Sequence, residues 1–272
     1  MSSMFDLTGK VVAITGGGGV IGCGLAEHLA QAGAKVAVLD LAAEAAERVA
    51  RKITDDGGSG LAVVADVLDR DSVEQARALC EARLGPVDVL INGAGGNHPG
   101  ATTGPDKPFF DLPPDAFEKV MDLNILGTVI PSMVFGRAMA DRGEGIILNI
   151  ASMNAFKPLT KIPAYSAAKS GVKNFTEWLA VHMATEYSPK IRVNAIAPGF
   201  LLTNQNRFLL TDEKTGERTP RGQAIIDHTP MRRYGDPEDL YGTVTWLLSD
   251  GSAFITGITV PIDGGYNAFG GV

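Results

Sequence analysis

Short apolar runs alternate with longer amphipathic patterns along almost the whole chain, and this alternation limits the fold more than any other feature. Strand-type runs occupy Val11–Thr15, Val36–Asp40, Leu61–Asp66, Val87–Asn92, Gly145–Ala151, Ile191–Ala197 and Ile258–Ile262. Helical patterns fill Val20–Ala32, Leu41–Asp56, Arg70–Leu84, Pro114–Arg142, Ala164–Tyr187 and Pro237–Ser249. Glycines at Gly33, Gly57-Gly58 and Gly85 stop the first three helices, as expected where the chain must leave a helix. A strand that is apolar at successive positions is covered on both faces. With a helix between successive strands, the expected fold is α/β: a Rossmann-type, doubly wound parallel sheet of about seven strands with helices on both sides. Its crossovers should be right-handed.

No fixed-period repeat and no break in composition divides the 272 residues, so the expectation is one domain over 1–272. The irregular stretch Gly199–Gly235, with its polar middle Thr211–Gly222, reads as a substrate loop or lid. Apolar residues make up 45% and charged residues 20%, enough to build a large core. The net charge of −7 argues against a general surface for nucleic acid or anionic membrane. Cys23 and Cys80 form neither a CxxC nor a Cys/His cluster. They read as small packing residues, with no metal site and a reducing, cytoplasmic setting. Met1–Lys10 shows no apolar signal core, and no apolar run approaches the roughly 20 residues that span a bilayer.

The first strand runs directly into Thr15-Gly16-Gly17-Gly18-Gly19-Val20-Ile21-Gly22. A glycine-rich turn between strand and helix brings bare backbone, and then the positive end of a helix, to a pyrophosphate. The expected cofactor contacts here are Gly16, Gly18, Gly19, Val20 and Ile21. Asp40 closes the second strand, eighteen residues after Gly22. Its carboxylate suits ribose hydroxyls and repels a 2′-phosphate, so NAD(H) is expected over NADP(H); helix capping is a compatible second role. Asp66 and Val67 end the third strand and flank the adenine position. Asn92, Gly93 and Ala94 end the fourth and again bring backbone to the crevice.

Tyr165 and Lys169 stand four apart at the start of a helix and share a face. An ammonium beside a phenol favours the phenolate, so the spacing predicts a lowered Tyr165 pKa and an acid/base role. Ser152, at the end of the fifth strand, can hold a substrate oxygen. Asn124, polar within an apolar helix, can order a water beside Lys169.

Together with Asn92-Gly93-Ala94-Gly95 and Pro198-Gly199, these residues resemble the short-chain dehydrogenase/reductase family over about residues 5 to 267. The resemblance implies that Tyr165 is the general acid/base. It implies that Lys169 binds the nicotinamide ribose, that Ser152 orients the carbonyl, and that Asn124 supports a relay water. Pro198, Gly199 and Thr203 would border the nicotinamide, and the expected assembly is a homotetramer joined through the two long helices. Val20 and Gly93 depart from the family pattern, which usually has glycine and asparagine there.

A narrower resemblance is to the D-mannonate oxidoreductase branch, which interconverts D-fructuronate and D-mannonate with NAD(H). It is carried by Gly16–Gly22, Ile91–Pro99, Ser152–Pro163 and Gly199–Arg207. Asn97, Asn154, Lys157, Lys161, Asn206 and Arg207 are its expected sugar-acid contacts: many hydrogen-bonding groups and a few cations for a carboxylate. Two alternatives stand beside it. One is another polyol or sugar-acid enzyme such as gluconate 5-dehydrogenase. The other, more distant, is a non-catalytic nucleotide-binding regulator on the same fold.

Overall fold

The computed structural model describes residues 4–202, 210–212 and 215–271. Seven parallel strands form one sheet: β1 (Val11–Thr15), β2 (Lys35–Asp40), β3 (Ser59–Val64), β4 (Val89–Asn92), β5 (Gly145–Ile150), β6 (Ile191–Pro198) and β7 (Thr259–Ile262). Their order across the sheet is β3-β2-β1-β4-β5-β6-β7. The helices between them are α1 (Val20–Gln31), α2 (Ala43–Asp55), α3 (Arg70–Leu84), α4 (Pro114–Met121), α5 (Gly127–Arg142), α6 (Pro163–Glu186), α7 (Pro220–Asp227) and α8 (Tyr241–Leu248).

Alternation along each strand feeds two cores. Val12 and Ile14 of β1 face one layer, built with Leu25 and Leu29 of α1, Val49 and Ile53 of α2, and Leu247 of α8. Val11 and Ala13 face the other, where Val73 and Cys80 of α3, Phe135 and Met139 of α5, and Met183 of α6 pack. This is the doubly wound α/β arrangement read from the sequence. Successive strands run to opposite sides of β1, so a crevice opens where β1 and β4 lie side by side.

Several local expectations change. The third strand begins at Ser59 and ends at Val64, which leaves Asp66 in the loop beyond it. The long pattern Pro114–Arg142 is interrupted by a π turn over Asp122–Leu126 between α4 and α5. Taken whole, that 29-residue stretch is long and apolar enough to cross a membrane by length and composition only; half of its most apolar window is buried inside the protein, as in a core helix. The stretch 199–235 contains α7, started by Thr219, whose hydroxyl accepts from the Gly222 N–H at 3.0 Å, with Pro220 next in line.

Candidate active site

A cleft of about 520 Å³ lies at the carboxyl ends of β1, β4, β5 and β6. Its first wall is the turn after β1. Gly16 has φ +64°, and a Cβ on it would stand 2.8 Å from the Ala94 Cα. The turn and the loop after β4 are therefore in backbone contact, a fit that only a bare residue allows. Gly19, Val20, Ile21 and Gly22 line the cleft at the start of α1, which has no side-chain cap and no acidic residue in its first turn. Unpaired N–H groups and a positive helix end thus face the opening, which suits a pyrophosphate. Gly18 lies behind this wall and donates its N–H to Asp40 Oδ2 at 2.9 Å.

Asp40 lines the cleft and also accepts from the Ala42 N–H through Oδ1 at 3.0 Å. It braces two turns without capping α2, whose N-cap is Ala42. Two acceptor positions of the carboxylate remain for ribose hydroxyls. Arg48, on the exposed side of α2, reaches the Gly18 carbonyl at 3.3 Å, so a cation stands at the same turn. Asp66 and Val67 line the adenine end, with Asp66 Oδ1 holding the Leu68 N–H at 2.9 Å.

Thr15, which opens the glycine-rich turn, also organises the loop after β4. Its buried hydroxyl accepts from the N–H groups of Gly93 and Ala94 at 3.1 and 3.3 Å. Gly93, Ala94 and Gly95 line the cleft. Asn92 does not. Its side chain turns inward and donates to Ser132 Oγ at 2.9 Å and Asn149 Oδ1 at 2.8 Å, so it joins sheet to helix instead of meeting a ligand.

The floor carries Ser152 and Tyr165, both of which line the cleft. Burial pushes the Tyr165 phenol above its ordinary value, and the Ser152 hydrogen bond opposes that shift. The expectation of a pKa lowered by Lys169 is therefore corrected. Lys169 Nζ lies 5.6 Å from the ring centroid and donates to the Ile150 carbonyl at 2.7 Å. Its own burial pushes its pKa down to about 8.

Asn124 is held by the loop after β4. Its amide donates to the Gly96 and Val120 carbonyls at 2.7 and 2.8 Å, and its oxygen accepts from the Gly96 N–H at 3.2 Å. The side chain clamps the loop, and its oxygen keeps one acceptor position. It still converges with Lys169: a Cβ on Gly95 would stand 2.7 Å from Asn124 Oδ1 and 3.2 Å from Lys169 Nζ. Pro198 and Gly199 close the cleft at β6, while Thr203, Asn206 and Arg207 lie outside the described residues.

The expected sugar-acid contacts scatter. Asn154 is buried behind Ser152. Lys157 is exposed and donates to the Phe269 carbonyl at 3.3 Å. Lys161 is exposed at φ +74° on a separate shallow depression with Phe109 and Ser170. Asn97 is exposed and donates to Thr102 Oγ1 at 2.8 Å. None of these four lines the cleft. Among the described residues, no group of three or more His, Cys, Asp or Glu side chains converges to hold a metal. Burial lifts the Cys23 and Cys80 thiols to about 11 and about 12.

Comparison with known proteins agrees with this geometry. The short chain dehydrogenase family matches residues 10–214. The uncharacterized oxidoreductase UxuB of Bacillus subtilis (strain 168) is 48% identical over 276 residues, covering 98% of both chains. A solved structure of a proposed D-mannonate oxidoreductase from Haemophilus influenza, with bound NAD, is 45% identical, covers 98% of both chains and superposes with a TM-score of 0.92. A gluconate 5-dehydrogenase from Burkholderia cenocepacia J2315, in complex with NADP and tartrate, is 32% identical, covers 98% of both chains and has a TM-score of 0.86. The parallel sheet, the glycine cradle and the facing hydroxyls of Ser152 and Tyr165 thus belong to a chain of the short chain dehydrogenase family, an oxidoreductase acting on CH–OH groups with NAD(P).

Proposed function

We propose that the protein interconverts a keto sugar acid and its hydroxy acid with NAD(H), and that the pair is D-fructuronate and D-mannonate. The observation that carries this reading is that Ser152 and Tyr165 together line the floor of a cleft walled by a glycine cradle. The dinucleotide, when bound, supplies or accepts the hydride at the substrate carbon. Tyr165 gives the proton to the carbonyl oxygen during reduction and takes it back during oxidation. Ser152 holds that oxygen. Lys169, four residues along the same helix face, meets the ribose beside the nicotinamide, and Asn124 fixes the loop above it. Asp40 favours NAD(H) by accepting from ribose hydroxyls and repelling a 2′-phosphate.

The sugar-acid assignment draws on the Haemophilus relative, at 45% identity. A second reading, a gluconate 5-dehydrogenase, draws on the Burkholderia structure at 32%. The segment 199–235 is read as the substrate loop of a single domain spanning 1–272, with Thr203 as a cofactor contact and Asn206 and Arg207 as substrate contacts. A homotetramer is the proposed assembly, because α6 exposes Trp178 and Val181 and α5 exposes Met133 beside an apolar groove.

The test is NADH oxidation at 340 nm with D-fructuronate and 5-keto-D-gluconate as separate substrates. Turnover with the first, lost by about 10³-fold in Tyr165→Phe with NADH binding retained, is expected. Turnover with 5-keto-D-gluconate alone would replace the substrate assignment. Undiminished turnover in Tyr165→Phe would remove the acid/base role.

A further inference from the structure

The Ser152 hydroxyl is held from behind by a single residue. Its oxygen accepts from the Asn154 backbone N–H at 3.2 Å and from Asn154 Nδ2 at 3.3 Å. Asn154 is 4% exposed, and its own oxygen accepts from the Leu159 N–H at 3.0 Å and from Ser166 Oγ at 2.9 Å. These contacts fix which end of the amide is which. A backbone N–H can only donate, so the amide oxygen must face Leu159, and the amide nitrogen must then face Ser152. Ser166 is the neighbour of Tyr165 on α6. One side chain therefore ties the loop of Ser152 to the helix of Tyr165.

A serine hydroxyl has two acceptor positions and one proton. With both acceptor positions filled by Asn154, only the proton is left to face the cleft. We propose that Asn154 is a positioning residue that compels Ser152 to act solely as a hydrogen-bond donor, first to the Tyr165 oxygen and, in turnover, to the reacting oxygen of the substrate. A donor at that point stabilises negative charge on either oxygen, whereas a freely rotating hydroxyl does so for only part of the time. The inference rests on the reading of Ser152 and Tyr165 as the reacting pair. It adds a residue that touches neither substrate nor cofactor.

Asn154→Asp is the informative substitution. It keeps the oxygen that faces Leu159 and Ser166, and replaces the donor facing Ser152 with an acceptor that turns the serine proton away from the cleft. Two readouts are combined. The first is the ultraviolet absorbance titration of the Tyr165 phenolate, isolated from the five tyrosines by subtracting a Tyr165→Phe reference. The groups facing Tyr165 are the Ser152 hydroxyl, the Lys169 ammonium on its own helix, and apolar Ala101, Ala116, Phe117 and Val120. The second is kcat and KM for NADH-dependent reduction of D-fructuronate.

In Asn154→Asp the phenolate midpoint should rise by about one pH unit. The kcat should fall by about 10²-fold with KM for NADH little changed. In a Ser152→Ala background the same substitution should have almost no further effect on either readout. An equal effect with and without Ser152 would show a through-space charge or a folding role, and would overturn the proposal. So would an unmoved midpoint in the wild-type background. If Asn154→Asp fails to fold, Asn154→Ala removes the side-chain donor to Ser152 without adding charge; a rise in the midpoint supports the proposal, and an unmoved one overturns it. The titration needs no substrate. Failure of the sugar-acid reading would appear instead as absence of turnover in the unsubstituted enzyme.

Discussion

Lys169 shows how far a side chain's chemistry depends on what surrounds it. Its spacing from Tyr165 is visible in the sequence, but its burial and its bond to the Ile150 carbonyl are not. Desolvation holds its pKa at about 8, below the ordinary lysine value. Below pH 8 the fold therefore carries a buried ammonium at a cost. As pH rises from about 8 toward 10.5, the fold releases this proton before the unfolded chain does, so this group's contribution to stability improves with pH. Lys169→Met should consequently unfold in urea with a stability gain of up to about 3 kcal/mol at pH 7, while losing activity. That gain should shrink between pH 8 and 10; a gain that stays constant with pH would contradict the buried-ammonium account. Asp40 carries a second prediction. Arg48 remains at the same turn when the carboxylate is removed. Asp40→Ala should raise the ratio of NADPH to NADH efficiency by about tenfold or more, measured as kcat/KM for each dinucleotide.

The element that most constrains the site is the turn from β1 into α1. A Cβ on Gly22 would stand 2.3 Å from the Gly16 carbonyl oxygen, closer than real contacts allow. Gly22→Ala should therefore displace the turn, weaken NADH binding by at least about tenfold in fluorescence titration, and lower the unfolding free energy by about 1–3 kcal/mol. This turn was legible because glycines between an apolar run and a helical pattern are a local signal. The π turn at Asp122–Leu126 was not. Within it the Asn124 amide pairs with Gly96, a residue of the loop after β4 and twenty-eight positions away, which no local pattern names. The helix α7 lies between these cases. Thr219-Pro220 is a start signal, but the charged residues around it read as loop.

For the molecule as a whole, the sheet order puts the carboxyl ends of β1 and β4 side by side, and a single crevice collects the glycine turn, the β4 loop and the Ser152–Tyr165 floor. On a separate face, Trp178, Met133, Phe175 and Tyr187 border the apolar groove between α5 and α6. If this groove joins subunits, Trp178→Glu should lower the sedimenting mass in analytical ultracentrifugation by at least half; an unchanged mass would place the assembly contact elsewhere. The chain's own order of residues determined the α/β class, the parallel sheet, the glycine cradle and the candidate set Ser152, Tyr165 and Lys169. These follow from periodicity and spacing, which are properties of neighbours in sequence. Only the tertiary structure decided that Asn92 serves the core, that Asn154 backs Ser152, that Thr15 shapes the β4 loop, and that Lys157 and Lys161 stand away from the cleft. A polar side chain takes the partner that folding brings within hydrogen-bond distance, and that partner can be anywhere along the chain.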